Sequence, residues 1–489
     1  MEHNTLSRAR TYEAQHRTPA EYRPLFHAAP PVGWCNDPNG WSCFGGQYHL
    51  FYQYYPYDTV WGPMHWGHTV TTDFLHWQDR PCAMAPDAPF DANGCFSGGA
   101  IEWQGRQLLL YTGVMPEGGK KEIQQQCLAI GDGVDYHKAD APVITCDEQP
   151  AGASRKDFRD PFLFQQDGML YMLLGGRGFN GHGRLLLYRN ARPDDPKAKW
   201  EFVQVMAEND GSLGSMWECP GLFTLEGKTV LVISPQFVHQ ATDDRYHCGN
   251  DTAAIIGRWG GPGTPFVRQA DQPLDSGLDF YAPQTMQTPD GRRVLIGWMQ
   301  NWDHCYPPED APWYGQMSLP RELFWQGETL CQRPVRELDA VRRLRTEHRG
   351  VEVDSQPVAL EGVAGRVLDC ELTVDVTEAR RFGVRFACGQ GRWAELRLDL
   401  DDGLLRLDRR HAGGYRDALE LRETPLLAPV ADTLRLRMVL DRYSAELFLQ
   451  DGQQVASMTL YNAAPEDDGI TFFARGKARM DLRLYDLAL

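Results

Sequence analysis

The sequence predicts an all-β protein that consists of a five-bladed β-propeller followed by a C-terminal antiparallel β-sandwich. The first observation behind this prediction is a sequence pattern, a glycine followed by an apolar strand, which occurs five times at intervals of about sixty residues. Such a repeat is typical of the blades of a propeller. The second is a change after residue 350 to strict alternation of apolar and polar residues. Such alternation is typical of antiparallel strands that bury one face and expose the other.

The phase of the repeat carries a prediction about function. The repeated glycines are Gly46, Gly105, Gly168, Gly227 and Gly291. Eight to ten residues before them stand Asp37, Ser97, Asp160, Glu218 and Tyr281. Because the equivalent strand of every blade lines the axis of a propeller, residues in the same phase are expected to converge at one end of the central channel. Three of the five are acids, so the sequence predicts a carboxylate cluster; unrelated surface turns would not share this phase.

The remaining elements follow in chain order. Residues 1–25 form an N-terminal lead-in, with a predicted helix over residues 5–16. The propeller occupies residues 26–336, and residues 337–349 are predicted to form a linking helix. Residues 350–489 then form the sandwich, in which turns that contain glycine separate the alternating strands.

The first repeat contains a turn sequence, WCNDPNG at residues 34–40, that carries Asp37 between aromatic residues. Proline presets φ while asparagine and glycine tolerate positive φ, so such a run reverses the chain and can direct an acid into a pocket. Taken alone, the run is equally typical of a hairpin loop between core tryptophans. The position of Asp37 within the repeat, which matches that of the other two acids, favours the interpretation in which it points into a pocket.

Composition limits the classes of partner. The 489 residues carry a net charge of −17 with a pI near 5.3, which disfavours nucleic acid and anionic membrane surfaces because both require a basic footprint. No apolar stretch approaches the roughly 18 residues that cross a membrane, and the first twenty residues lack the apolar core of a signal peptide. We therefore expect a cytoplasmic protein with a small, neutral ligand, whose oligomeric state stays undecided.

No metal and no cofactor is predicted. The twelve cysteines contain no CxxC pair, which disfavours a zinc site and a disulfide framework. His65 and His68 lie within a segment rich in tryptophan, residues 61–77, but no acid or cysteine with ligand spacing accompanies them. Flat aromatic rings with polar edges suit the faces of a sugar, so this segment is expected to form a carbohydrate-binding wall.

Two carboxylates that face each other in a water-poor pocket can perform acid–base chemistry, because one is driven to stay protonated while the other remains an anion. This is the arrangement of a glycosidase, in which the separation of the carboxyl groups decides between attack on the sugar and activation of water. Glu218, with the longer side chain, is the predicted general acid/base, and Asp37 is the predicted nucleophile. Asp160 is expected to be held ionised by Arg159 and to accept hydrogen bonds from sugar hydroxyls, while Asn36 hydrogen-bonds the sugar.

Three short motifs carry a resemblance to a known family. They are WCNDPNG (residues 34–40), FRDP (158–161) and ECP (218–220), and the similarity extends to FYQ (51–53), WGPMHWGH (61–68), FSG (96–98), YAPQ (281–284) and LPR (319–321). Together they resemble glycoside hydrolase family 32, the family of invertases and fructan hydrolases. The resemblance implies a retaining double displacement on terminal β-fructofuranosides, with Asp37 as nucleophile, Glu218 as acid/base and Asp160 as transition-state stabiliser. It also implies a set of residues that bind the fructosyl unit, namely Asn36, Gln53, Trp61, Ser97, Arg159 and Tyr281, with Phe96 and Trp298 as further candidates.

Two positions depart from the usual pattern of that family. Cys35 stands where the family often has methionine, which is a tolerated change of volume. Gly99 stands where the family often has serine, and this change is expected to alter the polarity of a subsite. The lead-in and the phrase at residues 55–57 look most like the intracellular bacterial sucrose and sucrose-6-phosphate hydrolases.

The leaving group stays open among sucrose, sucrose 6-phosphate and short fructo-oligosaccharides. Fructosyl transfer and fructan exo-hydrolysis are alternatives that would use the same site. An inverting arabinan or xylan hydrolase is disfavoured by the motifs, and a carbohydrate-binding module without catalysis is disfavoured by the presence of all three acids.

Overall fold

The computed structural model describes residues 4–118, 121–239, 243–414, 419–427 and 430–489. The lead-in contains helix α1 (Leu6–His16), which begins at Thr5, whose side-chain oxygen accepts a hydrogen bond from the backbone N–H of Arg8 at 3.3 Å. The predicted first helix is therefore confirmed, while the first three residues of the lead-in lie outside the described residues. Short 3₁₀ turns occur at Ala20–Tyr22, Cys146–Glu148 and Gln450–Gly452.

Five antiparallel sheets of four strands follow as the blades of the propeller. Blade 1 comprises β1 (Gly33–Phe44), β2 (Gln47–Tyr55), β3 (His65–Thr71) and β4 (Gln78–Met84). Blade 2 comprises β5 (Gly94–Trp103), β6 (Arg106–Gly118), β7 (Lys121–Gly131) and β8 (Tyr136–Lys138). Blade 3 comprises β9 (Phe158–Gln166), β10 (Met169–Arg177), β11 (Gly183–Asn190) and β12 (Trp200–Glu208).

The last two blades close the ring. Blade 4 comprises β13 (Met216–Leu225), β14 (Lys228–Gln236), β15 (Ala253–Arg258) and β16 (Val267–Pro273). The next segment supplies β17 (Tyr281–Gln287), β18 (Arg293–Trp298), β19 (Trp313–Tyr314), β20 (Arg321–Gln326) and β21 (Thr329–Pro334). Strand β19 pairs in parallel with β1, and the other four strands form blade 5. The first strands of neighbouring blades contact one another around the ring, so they line the axis.

The first strand of every blade contains one extra residue relative to its partner strand, at the same level of the ring. The irregularities lie between Cys35 and Pro38, Phe96 and Gly98, Arg159 and Phe162, Glu218 and Gly221, and Tyr281 and Gln284. A bulge of this kind bends the strand and re-aims a side chain. All five positions that the sequence repeat singled out lie within or at the edge of these bulges.

The prediction of a linking helix over residues 337–349 is wrong beyond its first residues. Helix α2 (Arg336–Ala340) is a single turn, and the chain then continues as strand β22 (Arg342–Val353). The segment has no apolar stripe that a helix could bury, and Leu344 is exposed. Its alternating charges instead suit a solvated strand at the edge of the sandwich, where it pairs with the last strand of the chain.

The C-terminal strands form the predicted β-sandwich. They are β23 (Val358–Ala364), β24 (Leu368–Gly389), β25 (Arg392–Asp399), β26 (Leu404–His411), β27 (Leu421–Pro425), β28 (Thr433–Asp441), β29 (Ser444–Leu449), β30 (Gln454–Thr459) and β31 (Gly469–Leu487). The long strands β24 and β31 pair with each other and run through both sheets, because the first half of β24 also pairs with β28 and the second half with β25. The alternating apolar residues face one another in a continuous core.

Buried charges join the propeller to the sandwich. The guanidinium of Arg321, at the start of β20, contacts Asp275 of the propeller at 3.0 Å, and its Nε donates to Glu446 of the sandwich at 2.7 Å. A buried arginine is tolerated only when it is paired and hydrogen-bonded in this way. Within the described residues, no helix is both long and apolar enough to cross a membrane.

Candidate active site

Asp37 lies in the bulge of β1 and is almost completely buried. One of its oxygens accepts a hydrogen bond from the Ser97 hydroxyl at 2.7 Å, and the other accepts from the side-chain amide of Asn36 at 3.1 Å. The amide oxygen of Asn36 in turn accepts from the indole N–H of Trp34 at 2.7 Å, which fixes the orientation of the amide. Burial and the charge of Glu218 raise the pKa of Asp37, and these neutral donors oppose that rise.

Asp160 and Cys219 occupy strained backbone positions on neighbouring blades. Both have positive φ, 64° and 45°, which is unusual for residues other than glycine. The backbone N–H of Cys219 donates to Asp160 at 2.9 Å, and its thiol lies 3.4 Å from the carboxylate of Asp37. Cys219 therefore joins two of the three acids. The sequence analysis gave it no role, although its place directly after Glu218 in the ECP motif would have indicated one.

The electrostatic environment of Asp160 differs from the one expected. Burial and the charge of Glu218 raise the pKa of Asp160 above its ordinary value, and Arg159 opposes this rise only in part. The Nε atom of Arg159 lies 4.0 Å from Asp160 but 2.9 Å from Glu218. Arg159 therefore favours the ionised form of Asp160 only in part, because the closer partner of its guanidinium is Glu218.

Glu218 is the acid nearest to solvent. Its side chain is 14% exposed, whereas Asp37 and Asp160 are both buried. One oxygen accepts from Arg159, and the other accepts from the hydroxyl of Tyr281 at 2.6 Å. A partly exposed carboxyl group held from two sides can meet the leaving-group side of a bound sugar, which suits a general acid.

Arg159 is held by Asp157, two residues earlier in the chain, and by glutamines from two other blades. Its terminal nitrogens lie 3.3 Å from the side-chain oxygen of Gln124, 3.2 Å from Asp157 and 3.3 Å from the side-chain oxygen of Gln236. These three residues were missed by the sequence analysis. They come from different positions of the repeat, so the phase that groups the acids gives no indication of them.

An aromatic cluster forms one wall behind the acids. Trp34 packs against Trp298 with ring centroids 6.0 Å apart, and stacks on Trp302 at 6.2 Å. Trp298 and Tyr281 are fully buried within this cluster, and the Tyr281 hydroxyl reaches Glu218. Trp302 is partly exposed and was missed, because it lies in a long connection outside the repeated strands.

A second aromatic pair, Trp61 and Phe96, adjoins Ser97. Trp61 is 48% exposed and its ring meets the ring of Phe96 edge to face at 6.0 Å. Gln53 is buried and its amide donates to the backbone carbonyl of Cys95 at 3.0 Å. Trp61 and Phe96 therefore present apolar surface, whereas Gln53 holds the strand that carries Phe96 and Ser97.

Two sequence expectations near the pocket are wrong. A Cβ atom on Gly99 would lie 2.9 Å from the carbonyl oxygen of Pro161, so this glycine permits close contact between two blades and does not set the polarity of a subsite. His65 and His68 are fully buried between strands and form no part of a sugar-binding surface. The Nε2 atom of His68 lies 3.0 Å from the Nδ1 atom of His49. The described residues contain no cluster of three or more metal-ligating side chains.

Comparison with known proteins places this geometry in context. The family description "Glycosyl hydrolases family 32 N-terminal domain" matches residues 27–334, and "Glycosyl hydrolases family 32 C terminal" matches residues 337–486. A raffinose invertase of Escherichia coli is 37% identical over 466 residues, which cover 93% of this chain and 93% of that protein. A sucrose-6-phosphate hydrolase of Escherichia coli is 35% identical over 462 residues, which cover 93% of this chain and 92% of that protein.

Solved structures agree over almost the whole chain. A β-fructofuranosidase of Bombyx mori superposes with a TM-score of 0.81 at 32% identity, covering 99% of this chain and 97% of that one. A sucrose-6-phosphate hydrolase from Lactobacillus gasseri superposes with a TM-score of 0.84 at 27% identity, covering 99% of this chain and 96% of that one. The similarity therefore spans both the propeller and the sandwich.

Proposed function

The chain belongs to glycoside hydrolase family 32, and from this premise we propose that it hydrolyses terminal, non-reducing β-D-fructofuranosides with retention of configuration. It is a glycoside hydrolase of the β-fructofuranosidase type, similar over nearly its whole length to an invertase and a sucrose-6-phosphate hydrolase. The observation that carries the proposed mechanism is the contrast between two acids. Asp37 is buried among neutral donors, and Glu218 is partly exposed between Arg159 and Tyr281.

The reaction proceeds in two displacements. In the first, a carboxylate oxygen of Asp37 attacks the anomeric carbon of the fructosyl unit, while Glu218 gives its proton to the departing oxygen of the leaving sugar. In the second, Glu218 takes a proton from water, the water oxygen attacks the anomeric carbon, and the bond to Asp37 breaks. Each carboxyl group thus ends in its initial protonation state.

Asp160 holds the fructosyl unit in the transition state. Its carboxyl group is buried beside the nucleophile and is fixed by the backbone N–H of Cys219. Hydrogen bonds to sugar hydroxyls that strengthen in the transition state act on kcat more than on KM. Asp160→Asn is accordingly expected to lower kcat of purified enzyme on sucrose by a larger factor than it raises KM. A change in KM alone would contradict this role.

We assign the leaving-group side of the pocket to a neutral sugar, with sucrose as the preferred substrate. Trp61 exposes its ring against Phe96, the residue before Ser97, and aromatic faces suit the apolar faces of a pyranose ring. Side-by-side kcat/KM values on sucrose, sucrose 6-phosphate and a short inulin-type oligosaccharide test the assignment. We expect the highest value on sucrose. A large preference for the phosphate would show that a cationic leaving-group subsite governs the enzyme instead.

Two further measurements separate this function from its alternatives. Retention of configuration at the anomeric carbon, followed by NMR of the first product, distinguishes the enzyme from an inverting arabinan or xylan hydrolase. Product analysis at high sucrose distinguishes hydrolysis from fructosyl transfer, because water and a second sugar compete for the same covalent intermediate. We expect retained configuration and free fructose as the main product.

We also propose that the enzyme acts in the cytoplasm. No two of the twelve cysteines form a disulfide in the described residues, and several, such as Cys35 and Cys82, are buried. Reduced cysteines are the usual state of proteins in a reducing compartment. Fractionation of the native host with an antibody against the protein tests the assignment, and recovery from the culture medium or periplasm would contradict it.

A further inference from the structure

The segment that leads into β17 is bound to the sandwich along its backbone. The N–H of Ser276 donates to the carbonyl of Val455 at 2.7 Å, and the N–H of Leu278 donates to the carbonyl of Ser457 at 2.8 Å. Both acceptors belong to β30, the edge strand of the sandwich. This connection of the propeller therefore adds to a sheet of the other domain, which fixes its position more firmly than side-chain contacts would.

Gly277 marks how closely the two backbones approach. A Cβ atom at this position would lie 2.1 Å from both the backbone nitrogen and the backbone oxygen of Ser457. Real Cβ atoms do not approach backbone atoms so closely, and a backbone cannot give way as a flexible side chain can. Any side chain here would push the segment away from β30.

Asp279 is the second anchor of the same segment. Its fully buried carboxylate accepts hydrogen bonds from the backbone N–H of Thr459 at 2.6 Å and from His304 at 2.6 Å, and it pairs with the guanidinium of Arg409. Burial raises the pKa of Asp279, but Arg409 and His304 outweigh burial and hold it at about 2. The carboxylate is therefore ionised, and it binds Thr459 and Arg409 of the sandwich.

The anchored segment ends at the residue that holds the acid/base. Tyr281 is two residues beyond Asp279, is fully buried, and donates its hydroxyl hydrogen to Glu218 at 2.6 Å. The intervening Phe280 lies under the guanidinium of Arg321, 4.7 Å from the ring centroid, so it has little room to absorb a shift. A displacement at Asp279 is transmitted to the hydroxyl of Tyr281 over one residue.

We propose that the sandwich positions the acid/base of the propeller, with Arg409 and the contact of Gly277 on β30 as the positioning elements. The inference rests on the proposed role of Glu218. It gives the second domain a part in proton transfer, although no hydrogen bond or ion pair joins a described residue of the sandwich to one of the three acids. Arg409 is a positioning residue because it acts through Asp279 and Tyr281.

The test uses two substrates that differ in their need for an acid. Cleavage of sucrose requires protonation of a sugar alkoxide, whereas an aryl β-D-fructofuranoside with a nitrophenyl leaving group departs without it. We expect Arg409→Gln and Gly277→Ala to lower kcat/KM on sucrose by about tenfold or more while kcat/KM on the aryl substrate changes by less than about threefold. Arg409→Lys, which keeps the positive charge, should restore part of the sucrose activity.

Two control variants make the outcome decisive. Leu396→Ala removes a fully buried side chain from the sandwich core and should lower the melting temperature without changing the ratio of the two kcat/KM values. Glu218→Gln should change the ratio in the same direction as the Arg409 variant, and more strongly. A wild-type ratio in folded Arg409→Gln and Gly277→Ala, with an altered ratio in Glu218→Gln, would overturn the positioning role alone. A wild-type ratio in Glu218→Gln would overturn the acid/base assignment itself.

Discussion

Asp37 and Glu218 differ in the kind of partner that surrounds them. Asp37 is hydrogen-bonded by the neutral side chains of Ser97 and Asn36, whereas Glu218 contacts the guanidinium of Arg159. A nucleophile whose charge is not neutralised by a cation remains available for attack. Glu218, the proposed acid/base, is instead the carboxyl group with access to solvent, so the environments of the two groups suit the roles proposed for them.

The two roles predict the effects of the isosteric amides. Asp37→Asn and Glu218→Gln keep the shape of each side chain but remove nucleophilicity and proton transfer. We expect kcat on sucrose to fall by about 10²-fold to 10⁴-fold or more in each variant, while the circular dichroism spectrum and melting temperature stay close to those of the wild type. Near-full activity in either variant would show that the roles are assigned to the wrong residues.

The strained backbone conformation of Phe237 leads to another prediction at the scale of single residues. Its φ is 60° and its side chain is 60% exposed, directly after Gln236, whose amide contacts Arg159. A bulky residue in this conformation costs about 1–2 kcal/mol, and strain of this kind is often retained for function. Phe237→Gly should therefore raise KM for sucrose several-fold without lowering the melting temperature, because relief of strain offsets the added flexibility of glycine.

The matched control for this variant is Phe202→Ala. Phe202 is also partly exposed but lies on β12, the last strand of blade 3, far along the sheet from the axis. Its removal should leave KM unchanged. If both variants altered KM equally, the effect would be a general one of lost apolar surface, and the prediction for Phe237 would be contradicted.

At the scale of single elements, helix α1 buries an acid against blade 1. An oxygen of Glu13 accepts the backbone N–H of Cys82 on β4 at 3.0 Å. Burial raises the pKa of Glu13 to about 7, and the hydrogen bond from Cys82 opposes the rise only in part. The helix thus docks through a carboxyl group whose ionisation is unfavourable in the folded state.

Glu13→Gln tests this docking through its pH dependence. The folded-state pKa of about 7 lies above the ordinary value of 4.5 for a glutamate. The wild type therefore loses stability as the pH rises from about 4.5 through 7, and the amide does not. We expect the variant to match the wild type near pH 4.5 and to exceed it at pH 8 by up to about 3 kcal/mol. Urea unfolding at the two pH values measures the difference, and a constant difference at both would contradict the assignment.

The elements also show what could be predicted from the sequence. The repeat predicted the five blades and the common level of Asp37, Asp160 and Glu218, because equivalent turns carry equivalent bulges. It did not predict β22, because a charged edge strand lacks the apolar periodicity that distinguishes strand from helix. Nor did it predict the burial of Trp298 or the partners of Arg159, which depend on how separate blades pack.

At the scale of the whole molecule, a buried histidine joins the start of the propeller to the sandwich. The two ring nitrogens of His27 lie 2.8 Å from Asp441 and 2.8 Å from Glu446. Burial alone lowers the pKa of His27, but hydrogen bonds to both carboxylates outweigh burial and raise it to about 9. The histidine is therefore a cation at neutral pH. It pairs with Asp441 and is a second cationic partner for Glu446, which Arg321 also contacts.

We expect the variant His27→Gln to lose stability in a pH-dependent way. The folded-state pKa of about 9 exceeds the ordinary value of 6.5 for a histidine. The stabilisation is therefore complete below about pH 6.5 and is lost as the pH rises through 9. At pH 6 we expect the variant to be less stable by about 3 kcal/mol, with a smaller deficit at pH 9.5. His76→Gln, which breaks an exposed pair with Asp73, should cost less than about 1 kcal/mol at either pH. A deficit independent of pH would contradict a charged His27.

The covalent fructosyl–enzyme tests the account most directly. In Glu218→Gln, an aryl β-D-fructofuranoside can still transfer its fructosyl unit to the nucleophile, but hydrolysis of the intermediate lacks its base, so the adduct should accumulate. After mixing and proteolysis, mass spectrometry should find one fructosyl unit on the peptide that contains Asp37, and added azide should release it as the β-fructosyl azide. An adduct on another residue, or turnover with inverted configuration and no adduct, would contradict the proposed mechanism.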